Sequence, residues 1–345
     1  MTGVPQQSPV VVLVTGASGF VGRRLIAHLL ETEGQAGATK ASLRIVAATH
    51  QAPSEPEQSR AAAFAGWNPQ IHDDRVTVVP LDVCDAAATN DLFARFRPQQ
   101  VYHLAARASG ADVDRDAVFA VNVTGTRNVL EAASAQRPFS RVLLASTGYV
   151  YGNTDPQRPA REEDPIGPLW RYGAYTDSKI EMETIGRAYR GFTLTVRAFG
   201  HTGAGQTTSF AVPSFARQLA RIEAGLEPPE LAVGNLEALR DLLDVRDVVR
   251  AYALFMRYGA PGDIVNVALG RPYVMREILA RLIAQCTTSV TIRVDPARLR
   301  PADIACSTGN PALLGDLTGW TPHYSLDETL AAALNYWREQ VKARP

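Results

Sequence analysis

A short apolar run, Val10–Val14, passes directly into Thr15-Gly16-Ala17-Ser18-Gly19-Phe20-Val21-Gly22, and a helical pattern follows over Gly22–Thr32. Leu25, Ile26, Leu29 and Leu30 share one face of that helix. A buried strand, glycines spaced GxxGxxG and an amphipathic helix in immediate succession leave few folds open. Gly16 permits a tight turn, Gly19 lets the backbone approach a pyrophosphate, and Gly22 allows the helix to pack closely. Phosphates then rest on the free N–H groups of the helix N-terminus. Ser18, Phe20 and Val21 complete this candidate cradle for a dinucleotide.

The alternation continues. Strands are expected at Leu43–Thr49, Val76–Pro80, Val101–Ala105, Arg141–Ser146 and Phe192–Ala198, and helices at Asn90–Arg97, Val121–Ala135 and Tyr175–Tyr189. Nearly continuous apolar strands are those buried on both faces, so the pattern predicts an α/β fold built on a doubly wound parallel Rossmann sheet. Gln51–Gln70, rich in Ala, Pro, Ser and Glu, reads as a long surface connection. After Gly200 the rhythm loosens, with helices expected at Phe210–Leu226, Val245–Arg257, Met275–Gln285 and Leu326–Val341 and a strand at Ile264–Leu269. The expected division is a dinucleotide-binding domain over 9–199, with later segments returning to it, and a smaller α/β substrate-binding domain over 200–345.

Charge and cysteine content exclude other classes. Thirty-five Lys+Arg balance thirty-five Asp+Glu, which argues against a nucleic-acid binder that neutralises phosphates. The opening residues carry no basic cluster or long apolar stretch, so they do not read as a signal peptide, and Val10–Val14 is far too short to span a bilayer. Cys84, Cys286 and Cys306 form no CxxC pair, which disfavours disulfides and a cysteine zinc site; no metal is expected. The expectation is a cytoplasmic enzyme.

Strand ends carry the chemistry in such sheets. The second strand ends Ala47-Ala48-Thr49-His50 without the carboxylate that would bind ribose hydroxyls and repel a 2′-phosphate, favouring NADP(H) while leaving NAD(H) open. Arg23 is either a phosphate partner or a solvated helix residue. Asp82 and Val83 either meet the adenine or simply end the third strand. Tyr175-Thr176-Asp177-Ser178-Lys179 sets a phenol and an ammonium one helical turn apart, where the charge favours phenolate. The preceding strand ends Ser146-Thr147-Gly148-Tyr149, placing hydroxyls at the same edge.

The glycine loop, the Tyr175/Lys179 pair, His103-Leu104-Ala105-Ala106 and Asn122-Val123-Thr124-Gly125-Thr126 together resemble the extended short-chain dehydrogenase/reductase family, from about Val10 to Arg338. The resemblance implies that Tyr175 is the general acid/base, that Lys179 orients the cofactor ribose and tunes Tyr175, and that Thr147 hydrogen-bonds the reacting oxygen. It also implies cofactor contacts at Leu104, Ala105 and Ala106. Within the family, Phe199–Gln206, Val233–Asp241, Asp244–Tyr252 and Arg300-Pro301-Ala302-Asp303 look like the GDP-4-keto-6-deoxy-D-mannose reductases, the GDP-D-rhamnose-forming group. That likeness puts Asn235 and Arg240 beside the nucleotide diphosphate and Arg300 near the nucleoside; Tyr149 is a further candidate substrate residue, and Arg107, in a segment that departs from the group's usual sequence, either meets substrate or faces solvent. Two positions depart from the group: Gly200 stands where an asparagine is usual, and Ala204 where a proline is usual. A homodimer is implied by the four-helix interface common in the family.

What is missing narrows the reaction. Related sugar dehydratases carry carboxylates just after the catalytic threonine, where this chain has Gly148 and Tyr149. Fucose-forming relatives use a cysteine at the place of Tyr149. Hydride transfer without elimination remains, so the expected reaction is NAD(P)H-dependent reduction of the 4-keto group of a nucleotide-linked 6-deoxyhexose, with GDP the expected nucleotide. A 4-epimerase with tightly bound NAD is the alternative, and a cofactor-sensing binding protein without turnover is a third reading.

Overall fold

The computed structural model describes residues 9–35, 43–50, 73–107, 114–167, 173–299 and 304–343. The connection expected over Gln51–Gln70 lies outside them. The strands before Phe199 are β1 (Val10–Thr15), β2 (Leu43–Thr49), β3 (Val76–Pro80), β4 (Gln100–His103), β5 (Arg141–Thr147) and β6 (Phe192–Ala198). Those after it are β7 (Gly200–Thr202), β8 (Glu230–Val233), β9 (Leu239–Arg240), β10 (Leu242–Asp244), β11 (Ile264–Val267), β12 (Tyr273–Val274), β13 (Thr291–Val294) and β14 (Cys306–Ser307). The helices are α1 (Phe20–Gln35), α2 (Ala86–Phe96), α3 (Arg115–Phe119), α4 (Gly125–Ser134), α5 (Ala174–Ala188), α6 (Ala211–Glu223), α7 (Val245–Tyr258), α8 (Met275–Ile283), α9 (Ala312–Thr318) and α10 (Leu326–Ala343).

Seven parallel strands form the central sheet in the order β11-β6-β5-β4-β1-β2-β3. Successive side chains of a strand point to opposite faces, so each strand feeds two cores. On one face Val12, Val14 and Leu143 pack against Leu25, Ile26 and Leu29 of α1 and Val248, Tyr252 and Phe255 of α7. On the other, Leu13, Val142 and Leu144 meet Leu92 and Phe93 of α2, Leu130 of α4 and Met182 of α5. Such burial is worth roughly 1.5–3 kcal/mol per large aliphatic or aromatic side chain, before entropy is charged against it.

A third core lies beyond β6. Phe215 and Leu219 of α6, Ile278 and Leu282 of α8, and Leu330 and Leu334 of α10 enclose Leu231 and Val233 of β8. The chain moves between the two bodies repeatedly: α7, β11 and Trp320 belong to the first core, while α8 and α10 belong to the third.

Several boundaries shift from the expected ones for local reasons. Asp85 caps α2 by accepting from Ala88 N–H (2.9 Å), which starts the helix at Ala86 rather than Asn90. The helix expected over Val121–Ala135 is interrupted by a π turn, Ala120–Thr124, ahead of α4. The strand expected to end at Leu269 stops at Val267. Helices α3 and α9 and the short strands β7 to β10 and β12 to β14 had no counterpart in the periodicity.

Candidate active site

The glycine loop closes over the gap between β1 and β4, where the strand order reverses and ligands bind in sheets of this kind. Gly16 has φ +65°, and a Cβ there would lie 2.8 Å from the Ala105 nitrogen. A Cβ at Gly22 would run into the Gly16 carbonyl. Ser18 and Gly19 are exposed, Phe20 and Val21 half-buried, and the first turn of α1 holds no acidic residue. Small residues, open N–H groups and no competing carboxylate make a cradle that fits a dinucleotide's phosphates.

Below the loop, Thr15 joins the two strands. Its hydroxyl accepts from the N–H groups of Leu104 and Ala105 (both 3.2 Å) and lies 2.8 Å from His103 Nδ1. Thr126 spends its one proton on the Asn122 carbonyl (2.7 Å), so His103 Nε2 donates to Thr126 (3.0 Å) and Nδ1 accepts from Thr15. Burial, with Lys179 nearby, pushes this imidazole down to about 3. The neutral tautomer thus pins the segment that carries Leu104, Ala105 and the exposed Ala106.

Thr49 is buried at the end of β2 and His50 is exposed beside it. Asp82 is exposed and accepts from Cys84 N–H (2.9 Å), while Val83 is buried against Gly125. Arg23 lies near Tyr336 of α10.

The candidate reacting groups meet at the ends of β5 and α5. Thr147 caps the 3-10 turn Gly148–Tyr151, accepting from Tyr149 N–H at 3.3 Å. Tyr175 stands in the first turn of α5; burial pushes its phenol up to about 12, against a hydrogen bond with Thr147 that favours phenolate. Tyr149 adds a second, half-buried phenol beside it. Lys179, 3 % exposed, donates to the Ala145 carbonyl (2.7 Å), with its ammonium 5.8 Å from the centre of the Tyr175 ring. Burial brings it down to about 8, opposed by Glu183.

Two networks hold these groups, and the sequence gave little sign of them. Buried Asn122, inside the π turn, accepts from Arg107 N–H (2.8 Å) and donates to the Arg107 carbonyl (3.2 Å) and to Ser178 Oγ (2.9 Å). Ser178 in turn donates to the Tyr175 carbonyl (2.7 Å). π turns concentrate at functional sites, a signal visible only in three dimensions. Behind Lys179, Glu183 accepts from Ser146 (2.6 Å) and pairs with Arg197 (2.8 Å), whose other nitrogen donates to Tyr151 (2.7 Å). Glu183 follows Lys179 by the same four-residue step that links Lys179 to Tyr175, which is the one clue in the sequence.

On the substrate side the picture is mixed. Gly200 has no room for a side chain: a Cβ would lie 2.5 Å from the Asp241 carbonyl, because β7 and β10 pair directly. The position where the group carries an asparagine therefore admits no side chain in this backbone. Asp241 is fully buried and accepts from the N–H groups of Leu269 (2.7 Å) and Gly270 (3.0 Å) and from the Thr308 hydroxyl (3.2 Å). Arg240, half-buried on β9, donates to the Leu239 carbonyl (2.9 Å). Asn235 is exposed and accepts from Glu237 N–H (2.9 Å). Arg107 is exposed just past β4, and Arg300 lies outside the described residues. His201, absent from the sequence-based candidates, stacks on Phe20 of the glycine loop (centroids 6.3 Å apart, 4° between planes). Its Nδ1 donates to the Phe199 carbonyl (2.9 Å), leaving Nε2 as the acceptor nitrogen.

The chain is similar in sequence and fold to known proteins. The family model for GDP-mannose 4,6 dehydratase matches residues 13–333. A GDP-6-deoxy-D-mannose reductase of Pseudomonas aeruginosa is 32% identical over 342 residues, 95% of this chain and 97% of that protein. A UDP-glucose 4-epimerase of Mycolicibacterium smegmatis is 28% identical over 346 residues, 95% of this chain and 98% of that protein. Among solved structures, RMD from Pseudomonas aeruginosa complexed with NADPH superposes with a TM-score of 0.76 at 29% identity, covering 96% of this chain and 99% of that one. With the Rossmann sheet, the glycine cradle and the Thr147–Tyr175–Lys179 cluster, these matches place the chain in the GDP-mannose 4,6-dehydratase family of extended short-chain dehydrogenases/reductases, as an NAD(P)-dependent nucleotide-sugar oxidoreductase.

Proposed function

We propose that the chain reduces the 4-keto group of a nucleotide-linked 6-deoxyhexose with NADPH, and that GDP-4-keto-6-deoxy-D-mannose is its substrate. The observation that carries this reading is the site's composition. Thr147, Tyr175 and Lys179 are assembled, yet the next position is Gly148, where a Cβ would lie 2.7 Å from the Phe199 ring. A carboxylate for elimination has no place there, and Tyr149 fills the position after it. The relatives named as a GDP-6-deoxy-D-mannose reductase and as RMD with NADPH favour the GDP sugar and NADPH. The neutral end of β2 at Thr49 and His50 favours NADPH as well.

The nicotinamide ring supplies the hydride when bound. Tyr175 then gives its phenolic proton to the oxygen that becomes alkoxide, and Thr147 holds that same oxygen by a second hydrogen bond. The Lys179 ammonium stabilises the phenolate left behind. His103, fixed as one tautomer, holds Leu104 and Ala105 against the cofactor cradle. Arg240 and Asn235 serve the nucleotide diphosphate, Arg300 the nucleoside end, and Arg107 and Tyr149 border the sugar. His201 closes the cradle from the other side through its stack on Phe20. A single charge-assisted phosphate contact is worth about 1.5–3 kcal/mol, so Arg240→Ala is expected to weaken every nucleoside diphosphate by roughly ten- to a hundredfold without changing their order. Calorimetry with GDP, UDP, CDP and dTDP tests this; GDP is expected to bind most tightly, and a pyrimidine preference contradicts the GDP assignment.

A further inference from the structure

Phe199 links β6 to β7 and takes no part in the chemistry proposed above. Its side chain is 3 % exposed. On one side the ring meets Gly148, where a Cβ would lie 2.7 Å from three of its carbons. On another it meets Gly309, where a Cβ would overlap the ring outright. Tyr151, at the end of the 3-10 turn, stacks on it with centroids 6.1 Å apart and planes 17° apart. The slot is thus cut to an aromatic ring by two glycines that lie 161 residues apart in sequence (309 minus 148).

Both walls of the slot are anchored. Gly309 donates its N–H to Asp241 (3.4 Å) and pairs with Ala160 in a parallel bridge. Gly148 opens the turn capped by Thr147 and has an ordinary helical backbone, so its lack of a side chain answers to the ring rather than to an unusual φ. The Thr147 hydroxyl has to meet Tyr149 N–H, Tyr175 and the reacting oxygen together. Where the turn rests on the sheet edge decides whether it does.

We propose that Phe199 is a positioning residue for Thr147, setting the height of the catalytic turn by filling the slot between Gly148 and Gly309. The proposal rests on the reductase reading of the site. It also gives Gly148 a reason: any side chain there lifts the turn off the ring. A misplacement of about 1 Å in a catalytic group can cost on the order of a hundredfold in rate.

The test compares wild type with Phe199→Leu, Phe199→Met, Gly148→Ala and the double variant Gly148→Ala/Phe199→Leu, each titrated with NADPH and assayed on the keto sugar. Phe199→Leu and Phe199→Met are expected to lower kcat roughly 10- to 100-fold. NADPH affinity and KM for the sugar nucleotide should stay near wild type. Gly148→Ala should lose a similar factor, and the double variant should recover most of it, because leucine leaves space for the added methyl. Unchanged kcat in the Phe199 variants, or a double variant no better than Gly148→Ala, overturns the proposal. Loss of NADPH binding in both Phe199 variants overturns it too, since the ring would then serve the cofactor cleft or the fold at large. Wild-type turnover in the same assay tests the reductase reading separately: no turnover defeats that reading, whereas wild-type turnover matched by every variant defeats only the role of Phe199.

Discussion

Protons at single residues set the site's working range. The proposed reduction requires Tyr175 protonated, to give its proton, and Lys179 charged, to stabilise the phenolate. Burial holds Tyr175 at about 12 and Lys179 at about 8, so Lys179 is the first to lose its proton as pH rises. The rate of keto reduction is expected to be level below pH about 8 and to fall above it. A pH–rate profile that stays level well beyond that point contradicts the role given to Lys179. His103 makes a second prediction, in stability. Unfolded, an imidazole takes up a proton near pH ~6.5; in the fold His103 resists to about 3. Between those values the folded state binds fewer protons, so stability is lost as pH falls through that window. His103→Phe removes this acid slope and leaves the Thr15 hydroxyl proton without its acceptor, at a cost of about 1–3 kcal/mol at neutral pH. Denaturant unfolding at several pH values measures both effects. Tyr175 and Lys179 were legible in the sequence because one helical turn separates them. His103 was legible only as part of a motif, since its partner Thr15 is 88 residues away.

Among the elements, the catalytic helix is tied to the sheet by a charge pair. Glu183 of α5 and Arg197 of β6 are 1 % and 2 % exposed at the side chain; Ser146 and Arg187 also bond Glu183, and Arg197 also donates to Tyr151 and the Glu162 carbonyl. Removing Arg197 leaves buried Glu183 to the exposed Arg187 (3.1 Å), so Arg197→Met is expected to cost about 3 kcal/mol. Glu183→Leu/Arg197→Met should recover much of that loss, because two apolar side chains no longer need each other. Urea unfolding of Glu183→Leu, Arg197→Met and the double variant checks this; a double loss equal to the sum of the two single losses would mean that the two residues act independently. The long parallel strands were legible because burial on both faces makes them continuously apolar. β9, β12 and β14 are two-residue strands whose existence depends on pairing with one another, Arg240 with Tyr273 and with Ser307, and no local pattern announces that. The π turn at Ala120–Thr124 escaped for a similar reason: its extra residue puts Asn122 beside Arg107 and Ser178, contacts that periodicity does not encode.

At the scale of the whole molecule, the site lies where two bodies of the chain meet. β11 completes the Rossmann sheet from beyond residue 200, and α7 supplies half of one of its cores. Gly200, Asp241 and Gly309 bring the later segments back to the edge that bears Thr147. Strand rhythm foretold the sheet and the glycine turn; the expected substrate residues came only from likeness to relatives, because the loops that carry them are ordered by contacts distant in sequence. The proposed reaction is net hydride delivery to the sugar with Tyr175 as proton donor. The direct measurement supplies NADPH deuterated at the transferring position together with GDP-4-keto-6-deoxy-D-mannose, then counts deuterium at the sugar's C4 against NADPH oxidised. One deuterium per NADPH consumed is expected, with the rate falling at least about 10²-fold in Tyr175→Phe. Sugar conversion without net NADPH oxidation, or a Tyr175→Phe variant that turns over normally, would contradict the assignment.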